Sequence, residues 1–323
     1  MSIGVPEEGR VQPSELEAAA AVAQRIRENV RRGVEVADDV LEHALVALVA
    51  EGHVLIEDLP GVGKTTLARA LARSMDLAFA RIQCTADLLP ADVVGTNVFN
   101  QREDRFEFRP GPIFANVVIV DEINRASPKT QSGLLECMQE RRVTVDVHTH
   151  ELARPFIVLA TQNPVEYEGT YPLPEAQVDR FMMRLSLGYP SPRGEAAMLA
   201  SHATGDRVGL LEPVASAADV LVAQDAAERV RASEALRSYV VALLQRTRDD
   251  ARLELGASPR AGLMLLRAAK ARALMEGRDH ALPDDVQALA QTVLSHRLVL
   301  APEAVEATPA EVVADALAAT PAL

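Results

Sequence analysis

His53-Val-Leu-Ile-Glu-Asp-Leu-Pro-Gly-Val-Gly-Lys-Thr65, running on into the alanine- and leucine-rich Thr66 to Ser74, is the stretch on which the fold turns. His53 to Glu57 is a short apolar run, Pro60, Gly61 and Gly63 make a tight loop, and a helical composition follows, so the order is strand, loop, helix. Small glycines let backbone N–H groups curl round a polyphosphate, and the helix that starts there offers the positive end of its dipole. In that pattern Lys64 reaches the β and γ phosphates and the Thr65 hydroxyl ligates magnesium. The usual motif opens with a glycine where this chain has Asp58. The departure touches the shape of the loop and leaves the Gly63-Lys64-Thr65 core intact.

Two more apolar runs extend the pattern. Asn116-Val-Val-Ile-Val-Asp121 has consecutive β-branched residues, as a strand buried on both faces of a parallel sheet requires. Pro155-Phe-Ile-Val-Leu-Ala-Thr161 repeats the signal and ends in Gln162-Asn163-Pro164. Helical stretches alternate with the strands: Pro13 to Arg31 with Ser14 as N-cap and Glu17 behind it, Ala37 to Glu51 stopped by Gly52, and Pro128 to Glu140. The expectation is an α/β P-loop fold, a three-layer αβα sandwich on a parallel sheet with right-handed crossovers. Two stretches are less regular. Residues 94–112 hold Gly95, Phe99, Phe106, Phe108 and a Pro110-Gly111-Pro112 turn, and residues 141–150 alternate β-branched with polar side chains, which predicts a strand or hairpin.

Pro190, Pro192 and Gly194 mark a change of character. Beyond them the reading is helical, over Ala217 to Ala223, Ala232 to Arg246, Pro259 to Met275 and Pro283 to Leu294, with one more short helix near Ala310 to Ala319. The expected organisation is an N-terminal helical segment (1–34), a P-loop core (35–190), a small all-helical lid (191–300) and an Ala/Pro-rich tail (301–323).

The chain has 323 residues, 33 Lys plus Arg against 46 Asp plus Glu, and a formal charge of -13. No basic block offsets that acidity and no aromatics interleave with basic residues, which argues against a nucleic-acid partner. Cys84 and Cys137 read as ordinary buried thiols. The start, MSIGVPEEGR, lacks the apolar stretch of a signal peptide, and no apolar run is long enough for a membrane span, so a cytoplasmic location is expected. His148 and His150 alternate within the expected hairpin, a spacing at which two histidines could ligate a metal.

Asp121-Glu122 closes the second buried strand, and the carboxyl end of a parallel strand is where such folds place active residues. Asp121 fits as the magnesium-side carboxylate and Glu122 as the residue that orients and polarises the attacking water. Asn163, at the end of the third strand, is expected beside Asp121, where a neutral amide holds the lytic water or the γ phosphate. With no Asn-Lys-x-Asp guanine-reading motif, the nucleotide is read as ATP, bound with Mg2+.

These stretches, together with Arg109-Pro-Gly-Pro-Ile-Phe114, Asp121-Glu-Ile-Asn-Arg-Ala126, Pro128-Lys-Thr-Gln-Ser132, Leu159-Ala-Thr-Gln-Asn-Pro164, Tyr171-Pro-Leu-Pro-Glu-Ala176 and Asp179-Arg-Phe181, resemble the MoxR family of AAA+ ATPases over roughly residues 20–300. The resemblance implies a nucleotide-binding set of Pro60, Gly61, Val62, Gly63, Lys64, Thr65 and Thr66, and a Walker B pair at Asp121 and Glu122. It further implies sensor 1 at Asn163, an arginine finger at Arg180 and a sensor 2 arginine at Arg260, in Gly256-Ala-Ser-Pro-Arg260. The irregular stretches then match the helix 2 insert and the hairpin before sensor 1, which line or cap the central pore in ring-forming relatives.

Lys64, Thr65, Asp121, Glu122 and Asn163 leave the open side of the γ phosphate without a cation, and in related ATPases an arginine arrives there from a neighbouring subunit. Arg180 is the expected donor, because Phe181-Met-Met183 would anchor its segment in the core; Arg125 and Arg184 stay open as alternatives. A head-to-tail contact of this kind closes into a ring, six-membered by the family likeness. That likeness also implies chaperone-like work on a protein client with a von Willebrand factor A domain partner. Two alternatives are a magnesium chelatase-like subunit for metal insertion and a nucleic-acid motor.

Overall fold

A computed structural model describes residues 11–163, 169–189, 192, 194–196 and 206–322. Pro164, which closes the third apolar run, and Pro190, one of the residues that mark the change of character, lie outside the described residues. Five parallel strands form the central sheet: β1 (Val54–Glu57), β2 (Phe79–Gln83), β5 (Val117–Asp121), β8 (Ile157–Gln162) and β9 (Met183–Leu185), in the spatial order β2-β5-β8-β1-β9. The three apolar runs are the three central strands. Their side chains alternate between two cores. Val54, Ile56, Val117, Ile119, Ile157 and Leu159 face one, with Leu67 and Leu71 of the helix Lys64–Ser74. Leu55, Val118, Val120, Val158 and Ala160 face the other, with Leu134, Leu135 and Met138 of the helix Pro128–Glu140. Burial on both faces is why these strands read as unbroken apolar runs, and each such side chain contributes roughly 1.5–3 kcal/mol.

The sheet's edges depart from the sequence reading, which contained neither β2 nor β9. β2 is partly exposed and alternates apolar with Arg81 and Gln83, and β9 spans three residues. The irregular stretches are antiparallel hairpins: β3 (Gly95–Asn100) with β4 (Arg105–Pro110), and β6 (Arg142–Val145) with β7 (His148–Glu151). The hairpins touch through Asn97 Nδ2, 2.7 Å from Asp146 Oδ2, and through Phe108 stacked on His150 at 4.0 Å between ring centroids. His150 is therefore a packing residue.

The first helix spans Pro13–Gly33, and its cap is Gln12, not Ser14; Gln12 N donates to Glu15 Oε2 at 2.8 Å, which places Ser14 inside the first turn. The second, Asp38–Val49, ends with Glu51 in the left-handed region at φ 53°, so Gly52 is not the turning residue. Gly52 is glycine because a Cβ there would lie 2.5 Å from the Met182 sulfur. The lid helices run Ala217–Arg229, Glu234–Arg248, Pro259–Met275 and Pro283–Leu294, the first of them six residues longer than its sequence signal. Pro309–Ala319 is a packed helix, with Val312, Val313 and Ala316 buried. The N-terminal helix packs on the Lys64–Ser74 helix and on two lid helices, and the first core cluster runs continuously from sheet to lid.

His53, at the start of β1, is a buried bridge. Its Nδ1 accepts from Val158 N at 3.0 Å, which leaves Nε2–H to donate to the Met138 carbonyl at 2.9 Å. Burial pushes its pKa down from 6.5 to about 4. The unfolded chain takes up this proton near pH 6.5, so the bridge contributes fully above that pH. Its contribution is lost as pH falls toward 4, on the order of 3 kcal/mol in all. His43 and His296 are shifted in the same direction, so the difference between variants is the measure. His53→Gln should flatten the loss of unfolding free energy between pH 6.5 and 4, measured by urea titration at several pH values. Equal slopes in parent and variant would exclude the bridge as a source of acid sensitivity.

Candidate functional site

The loop between β1 and the Lys64–Ser74 helix holds Gly61 at φ 86° and Gly63 at φ 93°. No heavy atom lies within 4 Å of where a Cβ would stand on either residue, so backbone conformation, not crowding, calls for glycine. The helix begins directly at Lys64, with its first amides open toward the loop. Lys64 Nζ folds back onto the loop, donating to the carbonyls of Asp58 at 2.8 Å and Leu59 at 3.1 Å. Burial lowers its pKa, while Asp58, Asp121 and Glu122 pull the other way.

Asp58, the departure from the usual motif, ties the loop to the strand beyond. Its carboxylate accepts from the backbone N–H of Leu187, from Gly188 N at 3.3 Å and from Ser186 Oγ at 3.2 Å. It therefore joins the phosphate-loop entry to the exit of β9.

Across the cleft, Asp121 ends β5 and Glu122 follows in the left-handed region at φ 56°. Glu122 N donates to Thr161 Oγ1 at 3.0 Å, which pins that turn to β8. The carboxylates are linked by a chain of polar contacts. Arg81 Nε donates to Asp121 Oδ2 at 2.7 Å, and Arg81 Nη2 to Gln83 Oε1 at 3.0 Å. Gln83 Nε2 donates to Glu122 Oε2 at 3.0 Å, and Arg125 Nη1 approaches the same oxygen at 3.3 Å. Cys84, just beyond Gln83, is a buried thiol whose pKa burial and the nearby carboxylates raise to about 12.

Loop and carboxylates enclose an open cleft of about 350 Å³. Of the residues expected from sequence, Pro60, Gly61, Gly63, Lys64, Thr65 and Thr66 line one wall, and Asp121, Glu122 and Asn163 line the other. Asn163 does not stand beside Asp121. The register pairs Val120 with Ala160, so the lateral neighbour is Thr161, whose hydroxyl is 3.4 Å from Asp121 Oδ1, and Asn163 lies just past the strand end. Arg81, Gln83 and Thr161 also line the cleft and escaped the sequence reading. Val62 faces a second, smaller cleft of about 200 Å³ with Val36, Leu187 and Tyr189, on the far side of the loop.

Neither Arg180 nor Arg260 lines the phosphate-side cleft. Arg260 opens the lid helix Pro259–Met275, behind its Ser258 cap. Arg180 follows the short helix Glu175–Val178, and Phe181, Met182 and Met183 after it are buried, as an anchor requires. Its Nε is buried with no hydrogen-bond partner among the described residues. The two alternative arginines are engaged within the chain. Arg184 Nη1 pairs with Glu57 at 3.0 Å, and Arg125 contacts the chain's own Glu122.

This geometry defines a P-loop nucleotide-binding cleft on an AAA-type core, and the comparisons agree. Residues 53–183 match the model of the ATPase family associated with various cellular activities (AAA), and residues 245–316 match an AAA lid domain. The chain is 51% identical over 277 residues to YeaC of Bacillus subtilis, spanning 86% of this chain and 87% of that one. It is 42% identical to Chaperone MoxR1 of Mycobacterium tuberculosis, over 88% of this chain and 78% of the relative. To Protein MoxR of Methylorubrum extorquens it is 33% identical, over 87% and 88%. The crystal structure of a candidate ATPase from Cytophaga hutchinsonii superposes with a TM-score of 0.88 at 38% identity, covering 94% of this chain and 96% of that one. An MCM homologue from Methanopyrus kandleri shares the fold alone, with a TM-score of 0.57 at 18% identity, over 96% of this chain and 62% of that one. The chain belongs to the MoxR family of AAA+ ATPases.

Asp58 offers a direct test of the loop's anchoring. Asp58→Gly installs the residue of the usual motif but strips the acceptor from the Leu187 and Gly188 amides. It should lower unfolding free energy by about 1–3 kcal/mol, the cost of leaving partly buried donors without their acceptor. Urea denaturation measures this, and a variant as stable as the parent would mean that the tie contributes nothing.

Proposed function

We propose that the chain hydrolyses Mg-ATP and uses the cycle, as a homo-oligomeric ring that family likeness makes six-membered, to remodel, assemble or activate a protein client. The observation that carries the reading is the convergence of Lys64, Thr65, Asp121, Glu122 and Asn163 on one cleft. The donor set suits the group. Two positive-φ glycines with open space beside them leave room for a polyphosphate, and a hydroxyl and a carboxylate are the hard oxygen donors a magnesium ion takes. Thr65 and Asp121 would hold the metal, which would supply charge neutralisation at the phosphates. Lys64, released from the Asp58 and Leu59 carbonyls, would reach the β and γ phosphates. Glu122 would orient the attacking water and take its proton, and Asn163 would hold that water or the γ phosphate. The smaller cleft, where Val36, Val62, Leu187 and Tyr189 stand with Glu35, would take the adenine ring.

Arg260 would sense the γ phosphate from the lid, and Arg180 would reach the cleft of the next subunit. An anchored arginine absent from its own chain's cleft supports a partner beyond the chain. The two hairpins would line or cap the ring's pore. Phe99, Phe106 and Val147 stand exposed on them, as contacts for an unfolded or loosely held client would require. A von Willebrand factor A domain partner and a cytoplasmic location complete the proposal. The partner rests on family likeness; the location is compatible with there being no helix, among the described residues, long and apolar enough to cross a membrane.

Two substitutions test the reaction. Lys64→Ala should abolish measurable ATP binding in a labelled-nucleotide titration. Glu122→Gln should keep Mg-ATP affinity while phosphate release falls by about 10²- to 10⁴-fold, the worth of a positioned proton acceptor. Unchanged phosphate release in Glu122→Gln would remove the glutamate from the mechanism.

Subunit mixing tests the assembly. Arg180→Ala alone should lose about 10³-fold in turnover, as a missing arginine finger does. Mixed with Lys64→Ala chains, some interfaces regain an intact loop facing an intact Arg180, and ATPase activity should partly return. A mixture that co-sediments yet stays inactive would transfer the role to Arg184 or Arg125.

A further inference from the structure

Arg297 is a buried lid cation that the nucleotide cleft does not use. It closes the 3-10 turn Ser295–Arg297 after the helix Pro283–Leu294, and its side chain is 2% exposed. An arginine buried without compensation costs several kcal/mol; here one core segment supplies a carboxylate and three carbonyls, and the lid adds the Val293 carbonyl and the Met264 sulfur at 2.7 Å. Nε donates to Asp179 Oδ1 at 2.8 Å. Nη2 donates to the carbonyls of Phe181 at 2.5 Å and Asp179 at 3.3 Å, and Nη1 to those of Val293 and, at 3.3 Å, Met182. His296 Nε2 lies 2.8 Å from Nη1 and 3.2 Å from the Phe181 carbonyl, and burial, with Arg297 beside it, holds the imidazole's pKa well below its ordinary value. The guanidinium thus grips Asp179, Phe181 and Met182, the residues on either side of Arg180.

The grip has a second attachment. Ser258 Oγ donates to the same Asp179 oxygen at 3.4 Å, and Ser258 caps the helix that opens with Pro259 and Arg260, accepting from Ala261 N at 3.1 Å. One carboxylate therefore joins the segment bearing Arg180, the lid turn bearing Arg297 and the start of the helix bearing Arg260.

We propose that Arg297 is a positioning residue that, through Asp179, fixes the direction in which Arg180 is presented to the neighbouring subunit and couples it to the chain's own lid. A lid that shifts with its nucleotide then moves the arginine its neighbour needs, because a short, fully hydrogen-bonded ion pair transmits displacement instead of absorbing it. The inference rests on the reading of Arg180 as a finger acting in trans.

The experiment separates donor from receiver. Arg297→Gln keeps an amide donor but loses the charge and the fork. Alone it should bind ATP within about twofold of the parent while kcat falls roughly 100-fold, the cost of an ångström's misplacement. Mixed with Lys64→Ala chains, whose Arg180 and Arg297 are intact, it should regain activity; mixed with Arg180→Ala chains it should not, since both lack a working donor. Arg297→Lys, which keeps the charge, should fall between the parent and Arg297→Gln. Asp179→Asn removes the ion pair from its more exposed side, at 21%, and should give the same mixing pattern, so it carries the test alone if Arg297→Gln does not fold. Recovery of activity with Arg180→Ala chains, parental turnover, or no recovery with co-assembled Lys64→Ala chains would each overturn the proposal. The control mixture of Arg180→Ala with Lys64→Ala judges the finger separately: if it alone stays inactive, the trans reading has failed, whereas if it recovers and Arg297→Gln does not, only the coupling has.

Discussion

A parallel strand buried on both faces can place polar side chains at its ends and nowhere else, because an unpaired polar group inside such a sheet costs several kcal/mol. β1, β5 and β8 obey this constraint without exception along Val54–Ile56, Val117–Val120 and Ile157–Ala160. Their polar residues accordingly collect at one edge, where Glu57, Asp121, Glu122, Thr161, Gln162 and Asn163 succeed the apolar runs. The phosphate loop leaves β1 at that edge and β8 stands between β1 and β5, so loop, carboxylates and the Thr161 hydroxyl face one another across a single cleft. The cleft is a consequence of how the sheet is buried.

The same constraint explains what could be read in advance. Two-sided burial writes an apolar run into the sequence, and Pro60, Gly61 and Gly63 mark a turn that few other residues allow, so the three central strands and most of the cleft were legible. β2 is an edge strand with an open face. Its alternation of Phe79, Ala80 and Ile82 with Arg81 and Gln83 resembles any half-exposed segment, and the two polar residues it sends to Asp121 and Glu122 carry no motif. Thr161 was invisible for a different reason. Which residue stands beside Asp121 depends on the register between β5 and β8, and a shift of two residues separates Thr161 from the expected Asn163. Gly52 looks like a helix stop in the sequence because nothing there shows that Met182, 130 positions on, packs where its Cβ would stand.

The lid was legible as helices and illegible as an attachment. Its links to the core are arginines whose partners lie far away along the chain. Arg229 pairs with Glu15 at 2.8 Å, Arg272 with Glu42 at 3.1 Å, and Arg267 donates to the Ala50 carbonyl at 2.8 Å. Arg272 and Arg278 also converge on the fully buried carboxylate of Asp285, which holds the lid helices to one another. Periodicity records which face of a helix is apolar. It holds no record of which distant carboxylate meets an arginine at that face's rim, and Asp179 with Arg297 is the most buried example.

These attachments differ in how firmly they hold. Pairs such as Arg69 with Asp206, both well exposed, are worth little and are screened by salt, so they can exchange as the lid moves. Around Glu51, Arg141 and Arg154 close on one nearly buried carboxylate that Arg267 also approaches at 3.8 Å, joining both core helix ends to the lid. Breaking such a buried pair strands a charge, so the elements it joins must travel together or not at all. A domain held to its core by loose outer pairs and a few buried ones has a restricted set of motions: it can tilt about the buried contacts but not slide past them. Glu51 lies at the far end of β1 from the phosphate loop, while Asp179 lies beside the segment that carries Arg180. A tilt that leaves the first fixed bears on the second, which makes the nucleotide edge of the sheet the place where lid movement is felt.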